Sequence, residues 1–165
     1  MPSIAEPAFP GDDGSVSPEV AAALTAYAAD PDRRHAAALA VLQHSRLLVP
    51  VVAVLGEVEY DDAGRAREKT SDMAAVLMQG RDGRTALLGF TGTEPMRRWN
   101  PEARPVQVRA ADAARAALQD NAAALVLDVA GPTMFVVEED DLRALADGLT
   151  LVEVSGGYGW VRPVR

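Results

Sequence analysis

The stretch from residue 72 to residue 109 constrains the fold of this chain more than any other part of its sequence. Two apolar segments, residues 72–79 and 84–90, flank a short loop that contains the pair Asp82-Gly83, and this pattern predicts a β-hairpin. A small polar turn, a helical segment that ends in Trp99 and a further strand follow in that order. Such alternation of strands and helices predicts an α/β domain, with α+β as the alternative.

Two helices are predicted before the first strand. Ser17-Pro18 places a hydroxyl cap in front of a proline at the first helical position. Asp30-Pro31 ends that helix and starts a second one, which should run to about His44. The sheet is therefore expected to follow a pair of consecutive helices.

The rest of the chain alternates between strands and helices. Residues 46–55 are apolar almost without interruption, as in a strand covered on both faces, and Pro50 favours a sheet edge or a bulge. Further strands are predicted at residues 101–108, 124–128 and 133–137, helices at 110–120 and 138–146, and a terminal hairpin over 151–161. We expect a mixed sheet of about five to seven strands packed by helices.

The expected domain organisation is a single α/β domain behind a short leader. Residues 1–17 contain three prolines and two glycines, which predict a flexible leader. The domain, residues 18–165, divides into N-terminal helices (18–45), a core (46–147) and a C-terminal hairpin (148–165). A charged excursion over residues 57–69 is predicted to be a mobile loop within the core.

Composition excludes several classes of function. The chain of 165 residues has a formal net charge of −8, which opposes binding to nucleic acid or to an anionic membrane surface. It contains no cysteine, so disulfides, thiolate catalysis and cysteine-ligated metal centres are excluded. No signal-peptide pattern opens the sequence, and no apolar stretch approaches the ~20 residues of a spanning helix. These features predict a cytoplasmic location and no membrane contact.

Several short motifs follow one another between about Arg46 and Ala146. They are Leu47-Leu48-Val49-Pro50-Val51, Lys69-Thr70-Ser71-Asp72-Met73-Ala74, Asp82-Gly83-Arg84 through Leu87 to Phe90-Thr91-Gly92, Met96-Arg97-Arg98-Trp99 before Arg104-Pro105-Val106, and Ala124-Leu125-Val126-Leu127-Asp128 with Gly131-Pro132. This set resembles the SseB protein N-terminal domain family, particularly its compact actinobacterial members. The resemblance implies a bacterial α/β module without an assigned active site.

The turn after the predicted hairpin is the first candidate binding site. Thr91 and Thr93 lie where a strand leads into a helix, and such a turn can present backbone N–H groups to a small anion or a metabolite. No GxGxxG or GxxxxGK[ST] phosphate loop accompanies it. The structural alternative is capping of the helix by the threonine hydroxyls, with Pro95 in its first turn.

Four further residues complete the candidate binding set. Arg97 and Arg98 beside Trp99 suit recognition of a carboxylate, a peptide terminus or an aromatic patch on another protein. The alternative for Trp99 is a core position. Asp128 ends an apolar strand, where α/β proteins place functional carboxylates, although it could equally accept hydrogen bonds from the amides of the following turn.

The histidines and the acidic runs are further candidates for metal ligands or catalytic bases. His35 and His44 are expected on opposite sides of one helix, which prevents a shared metal and favours solvent-facing or capping roles. Glu57, Glu59, Asp61 and Asp62 lack the spacing of a calcium loop, so a solvated loop is favoured. The run from Glu138 to Asp141 is interpreted as an acidic helix start.

These observations predict a non-catalytic interaction or regulatory module that binds an unidentified protein partner or forms a homo-oligomer. No catalytic residue, metal or cofactor is assigned, because no nucleophile–base pair, metal cluster or phosphate loop is visible. Binding of a small anion or metabolite at the Thr91–Arg98 turn is the alternative. An enzyme would have to assemble its chemistry from distant segments, such as Asp128 with Glu94.

Overall fold

Two sheets joined at one point organise the part of the chain that the structure describes. In this computed structural model the described residues are 9–55, 58–60, 66–68 and 71–164, and the segments between residues 52 and 74 are described by their backbone alone. The helices within these residues are α1 (Pro18–Ala29), α2 (Pro31–Leu42), α3 (Thr93–Trp99), α4 (Ala110–Gln119) and α5 (Glu139–Ala146). The strands are β1 (Arg46–Leu55), β2 (Val58–Tyr60), β3 (Ala66–Glu68), β4 (Ser71–Ala75), β5 (Leu77–Gln79), β6 (Thr85–Gly89), β7 (Arg104–Arg109), β8 (Ala124–Leu127), β9 (Phe135–Glu138), β10 (Thr150–Val154) and β11 (Gly157–Val161).

The first sheet is antiparallel and the second is mixed. The first has the order β4-β1-β7, and the second has the order β5-β6-β8-β9 with β6 and β8 parallel. They meet where Leu48 of β1 and Phe90, directly after β6, exchange two backbone hydrogen bonds of 2.8 Å. The predicted α/β class, with two helices before a mixed sheet system of five to seven strands, is confirmed.

The position predicted for Pro50 needs correction, because β1 is an interior strand. β7 pairs with β1 over residues 46–51, and on its other side β1 meets first Phe90 and then β4. Pro50 is two residues after Leu48, so the backbone nitrogens of both point to the same side of β1. On that side the partner of β1 changes from Phe90 to β4, and the N–H that proline lacks would point there. A proline is tolerated there because that position falls between two pairings.

The predicted hairpin around Asp82-Gly83 is confirmed, but its first strand is divided. The N–H of Gly83 donates to the carbonyl of Gly80 at 3.0 Å, and Gly83 has a φ of +82°. The single strand predicted over residues 72–79 is split at Val76 into β4, which pairs with β1, and β5, which pairs with β6. Periodicity detects the extended backbone and not the change of partner.

Side chains alternate between two cores on opposite faces of the sheets. In β1, Leu47 and Val49 belong to the larger core, which also contains residues of α1, α2, α4 and α5. Leu48 belongs to the smaller core, where Met96 and Trp99 of α3 pack. The expectation of a strand covered on both faces is therefore confirmed for this part of β1.

The start of α1 matches the predicted cap, while α2 is shorter than expected. The hydroxyl of Ser17 accepts from the N–H of Val20 at 3.2 Å, and Pro18 is the first helical residue. Helix α2 ends at Leu42, so His44 lies in the turn that follows and not on the helix.

The predicted leader makes contacts with the domain over residues 9–17, and residues 1–8 lie outside the described residues. Asp12 forms an ion pair with Arg46, and the carbonyl of Gly14 accepts from the N–H of Thr93 at 2.7 Å. Gly92 is in close contact with this segment, since a Cβ there would lie 2.7 Å from a methyl carbon of Val16. Composition alone could not reveal these distant partners.

The charged excursion predicted as a mobile loop contains a short antiparallel pair. Strands β2 and β3 align Val58 with Glu68 and Tyr60 with Ala66, so the loop interpretation is wrong for these two segments. Glu57, Asp61 and Asp62 lie outside the described residues.

The C-terminal hairpin, β10 and β11, is confirmed and docks through side chains. The amide of Gln43, just after α2, donates to the carbonyl of Leu151 at 2.8 Å and accepts from its N–H at 2.7 Å. The indole N–H of Trp160 donates to Asp141 at 3.0 Å. Within the described residues, no helix has both the length and the apolar character needed to cross a bilayer.

Candidate functional site

Asp128 and Thr91 form a buried pair where β8 and β6 end side by side. One carboxylate oxygen of Asp128 accepts from the N–H of Thr91 at 2.9 Å, and the other accepts from its hydroxyl at 2.6 Å. Asp128 is only 1% exposed and Thr91 only 3%. The parallel pairing of β6 with β8 brings these residues together, because their strands end at the same edge.

The environment of Asp128 favours its neutral form. Burial raises the pKa of Asp128 above its ordinary value, while the two hydrogen bonds from Thr91 partly oppose that shift. The backbone of Asp128 has a φ of +54°, in the left-handed region that aspartate tolerates better than most residues. The predicted acceptance from the amides of the following turn is wrong for the side chain; it is the backbone carbonyl that accepts from Gly131 at 2.9 Å.

Arg46 connects this buried pair to the N-terminal segment. Its guanidinium donates to the carbonyl of Thr91 at 2.7 Å, to both carboxylate oxygens of Asp12 at 2.5 and 2.9 Å, and to the carbonyl of Ser15 at 2.8 Å. The amide of Gln107 on β7 also donates to Asp12, at 2.8 Å. The hydrogen bond from Arg46 lowers the pKa of Asp12, so this carboxylate is held in its charged form.

Two amides of the predicted anion-binding turn, those of Thr91 and Thr93, are already engaged within the chain. The N–H of Thr91 donates to Asp128, and the N–H of Thr93 donates to Gly14. The hydroxyl of Thr93 makes no capping hydrogen bond, since α3 has Gly92 as its N-cap residue and no side-chain cap. The predicted capping of α3 by a threonine hydroxyl is therefore wrong.

The three remaining candidates, Arg97, Arg98 and Trp99, take no part in the hydrogen bonds of the buried pair. Arg97 and Arg98 are exposed, and Arg98 makes an ion pair with Glu94 one helical turn earlier at 3.3 Å. Trp99 is half-buried and its ring lies 5.7 Å from that of Phe90, which agrees with the core alternative. The structure therefore brings together Thr91 and Asp128, places Thr93 beside them, and leaves the arginines at the surface.

The two histidines have different surroundings from those expected. His35 is half-buried: its ring stacks on Phe135 with centroids 4.6 Å apart, and its Nε2 donates to the carbonyl of Val136 at 2.9 Å. It is thus neither solvent-facing nor a helix cap. His44 is exposed, and no group of three histidine or acidic residues among those described is arranged to hold a metal ion.

An open groove of about 520 Å³ lies beside Arg46, between the N-terminal segment and the end of α2. Asp13, Glu19 and His44 are among its lining residues, whereas Thr91 and Asp128 are not. The groove and the buried pair are therefore separate.

Sequence reasoning missed Arg46, Asp12, Gln107 and Gln43, which make long-range polar contacts in the site and its surroundings. A charged residue at the first position of an apolar strand was the available signal for Arg46. Nothing in the sequence indicated its partners, since Asp12 precedes it by 34 positions. Every buried side-chain nitrogen or oxygen among the described residues has a hydrogen-bond partner.

Comparison with known proteins now adds to this geometry. The profile of the SseB protein N-terminal domain matches residues 20–144, well over half of the chain. The chain belongs to the SseB protein N-terminal domain family. The match extends beyond the motifs between Arg46 and Ala146 and takes in α1 and α2 of this SseB domain. No match is found among curated proteins or among solved structures.

Proposed function

We propose that this SseB domain is a non-catalytic interaction or regulatory module of the bacterial cytoplasm, which binds a protein partner or another copy of itself. The observation that carries the proposal is the concentration of exposed apolar side chains on the C-terminal hairpin. Val154 (49% exposed) and Val161 (41%) lie on one face of the hairpin, whereas Tyr158 (39%) lies on the other, because side chains alternate along a strand and Val154 is aligned with Gly157. Clustered exposed apolar groups are typical of protein-binding surfaces, whereas isolated ones are not.

The arrangement of the buried polar groups supports a non-catalytic role. Both oxygens of Asp128 accept hydrogen bonds from Thr91, and the residue is only 1% exposed, which supports a structural role for this carboxylate. Asp12 is paired with Arg46 and Gln107 in the same way. These groups hold three segments of the chain together, which is a structural task.

The hairpin is well placed to present its surface. Gln43 and Trp160 hold it against α2 and α5, so its apolar side chains are displayed from a fixed position. A fixed surface loses less conformational freedom when it binds, and this favours affinity.

The experiment is capture of binding proteins from bacterial extract with the immobilised chain, in parallel with light scattering of the pure protein. The variant is Val161→Glu, which places a charge in the apolar surface of the hairpin. The matched control is Leu118→Glu, because Leu118 is an exposed apolar residue on α4, 36% exposed and remote from the hairpin in sequence.

We expect binding or self-association that Val161→Glu weakens at least tenfold and Leu118→Glu leaves unchanged, since one unpaired charge in an apolar contact costs about 2 kcal/mol. Equal losses in both variants would place the binding surface elsewhere. A chain that stays monomeric and captures nothing under several extract conditions would overturn the proposed function.

A further inference from the structure

The edge strands of this domain differ in how their outer backbone groups are protected. On β7, Pro105 lacks an N–H, and arginines stand at both ends of the strand. On β9, His35 donates to the outer carbonyl of Val136. On β10, the amide of Gln43 satisfies both backbone groups of Leu151. Such devices prevent an edge from pairing with another chain.

Strand β11 has none of these devices within the described residues. Its sequence, Gly157 to Val161, contains no charged residue and no proline. Outside the pairing with β10, no hydrogen bond between described residues involves the backbone groups of Tyr158 or Trp160. β11 is therefore an edge at which the chain presents a plain, uncharged row of donors and acceptors; the edge strand β5 (Leu77–Gln79) is also free of charge and proline but is only three residues long.

The register of the hairpin shows which backbone groups face outward. The turn residues Ser155 and Gly156 both have positive φ, 44° and 84°, as in a two-residue type I′ turn. Such a turn makes Val154 and Gly157 a hydrogen-bonded pair, so Gly159 and Val161 also bond to β10. The N–H and carbonyl groups of Tyr158 and Trp160 consequently point away from the hairpin.

The backbone groups of β10 show the same alternation between inward and outward positions. Leu151 is aligned with Trp160, so its backbone groups should also point away from the hairpin, and both of them bond to Gln43. This agreement supports the assignment of outward groups on β11.

We infer that β11 pairs antiparallel with β11 of a second copy of this chain, about a two-fold axis at Gly159, to give a four-stranded sheet β10-β11-β11-β10. In this register the backbone of Tyr158 meets that of Trp160 of the second copy, and each of the two pairs exchanges two hydrogen bonds. The outward groups of β11 therefore complement themselves. This inference rests on the proposed function and names the partner of the hairpin surface.

A second copy suits this edge for two further reasons. The chain has a net charge of −8, so two copies repel each other except where the approaching surfaces carry no acidic group, and β11 carries none. Gly159 has no side chain at the two-fold axis, where the strands approach most closely. The aromatic rings of Tyr158 and of Trp160 in the second copy would lie side by side across the new pairing.

Single-cysteine cross-linking tests the register, because the natural chain has no cysteine. A Cβ at Gly159 would meet its nearest neighbour, a methyl of Val154, at 3.5 Å, and one at Gly157 would meet the carbonyl of Val154 at 3.9 Å, so both positions accept cysteine. Two Gly159 residues facing each other in a non-hydrogen-bonded pair have Cα atoms about 4.5 Å apart, which suits a disulfide. Two Gly157 residues would be separated by four positions along the strand, roughly 13 Å, which is too far.

We therefore expect Gly159→Cys to form a disulfide-linked dimer rapidly under mild oxidation, and Gly157→Cys to remain mostly unlinked. Equal cross-linking of both variants would indicate random collision and overturn the register. Light scattering of the unmodified chain from about 1 µM to 1 mM should show a rise from 17.4 kDa toward twice that mass.

A proline pair separates edge pairing from loss of folding. Tyr158→Pro removes an outward N–H of β11, whereas Glu153→Pro removes an outward N–H of β10 on the opposite edge of the same hairpin. We expect Tyr158→Pro to raise the dimer dissociation constant about 30-fold, because each dimer loses two backbone hydrogen bonds, and Glu153→Pro to leave it unchanged.

The outcomes distinguish this inference from the proposed function. If the chain is monomeric at all concentrations but still captures a protein, and Val161→Glu weakens that capture, then pairing between copies is overturned and the proposed interaction function is retained. A monomer that captures nothing overturns both. A dimer that survives Tyr158→Pro shows that the copies meet elsewhere and overturns the β11 assignment.

Discussion

Asp128 combines a left-handed backbone, near-complete burial and two hydrogen bonds from one threonine. A carboxylate with a raised pKa is a common mark of an active site, but structural pairs also shift pKa values. Here the two donors belong to Thr91, which lies at the adjacent strand end. The carboxylate therefore stabilises the crossing from β6 to α3, and its altered pKa is a consequence of burial.

The shifted pKa of Asp128 leads to a prediction about stability and pH. Because burial raises its pKa above 3.8, the folded chain keeps a proton that the unfolded chain releases. The stabilisation is fully present below the unfolded pKa and is lost as pH rises through the folded pKa. Asp128→Asn has no proton to lose and tolerates the positive φ, so the free energy of unfolding of the natural chain relative to this variant should fall from about pH 3.5 to pH 7.

Urea unfolding of both proteins at a series of pH values measures this difference. The opposite effect of Asp12, whose pKa is lowered, cancels in the comparison because both proteins contain it. A difference that stays constant with pH would show that Asp128 has the same pKa in the folded and unfolded chain.

At the level of elements, polar side chains from one segment fasten another. Arg46 at the start of β1 holds residues 9–16, and Gln43 after α2 holds β10. Each contact supplies a hydrogen-bond partner to backbone groups of the fastened segment that would otherwise lack one. The N-terminal segment and the C-terminal hairpin are therefore each held in part by a polar side chain that lies outside them.

Arg46→Ala should release the N-terminal segment and lower the free energy of unfolding by about 2 kcal/mol, since the half-buried carboxylate of Asp12 loses its charged partner. Hydrogen exchange should become faster at Gly14 and Thr93 and remain slow in β8. Arg109→Ala is the control, because Arg109 is aligned with Arg46 on β7 and is exposed. Unchanged exchange at Thr93 would show that the segment is held by its apolar contacts alone.

Gln43→Met should loosen the hairpin, because methionine keeps the length of the side chain and removes both hydrogen bonds to Leu151. We expect a loss of about 2 kcal/mol of stability, at roughly 1 kcal/mol for each bond. Fluorescence of Trp160 in a Trp99→Phe background reports hairpin docking, since Trp160 donates to Asp141 on α5. Emission unchanged from that of the Gln43 chain would contradict the fastening role.

Local signals in the sequence were enough to place most elements. The Ser17-Pro18 start of α1 and the Asp82-Gly83 turn are encoded within a few residues, and both were predicted correctly. The fastening contacts were not, because Gln43 and Leu151 are 108 positions apart and no pattern in either neighbourhood names the other. In the candidate site, Thr91 and Asp128 were singled out separately, whereas their pairing depends on β6 and β8 being parallel neighbours.

For the whole molecule, the net charge of −8 sets how self-association responds to salt. Two copies that pair through the uncharged β11 still repel through the rest of their surfaces. Raising sodium chloride from about 20 mM to about 500 mM shortens the screening length and should tighten the dimer several-fold. Sedimentation equilibrium at both concentrations measures the change. A dimer weakened by salt would instead indicate ion pairs across the interface.

The docking of Asp12 onto Arg46 has a practical consequence for anyone trimming this protein. The family match begins at residue 20, and a shortened polypeptide starting there would look like the natural unit. Such a fragment would leave a guanidinium without its counter-ion and the N–H of Thr93 without an acceptor. The family match therefore starts later than the folded part of the chain, and an expressed fragment should keep the residues from Phe9 onward.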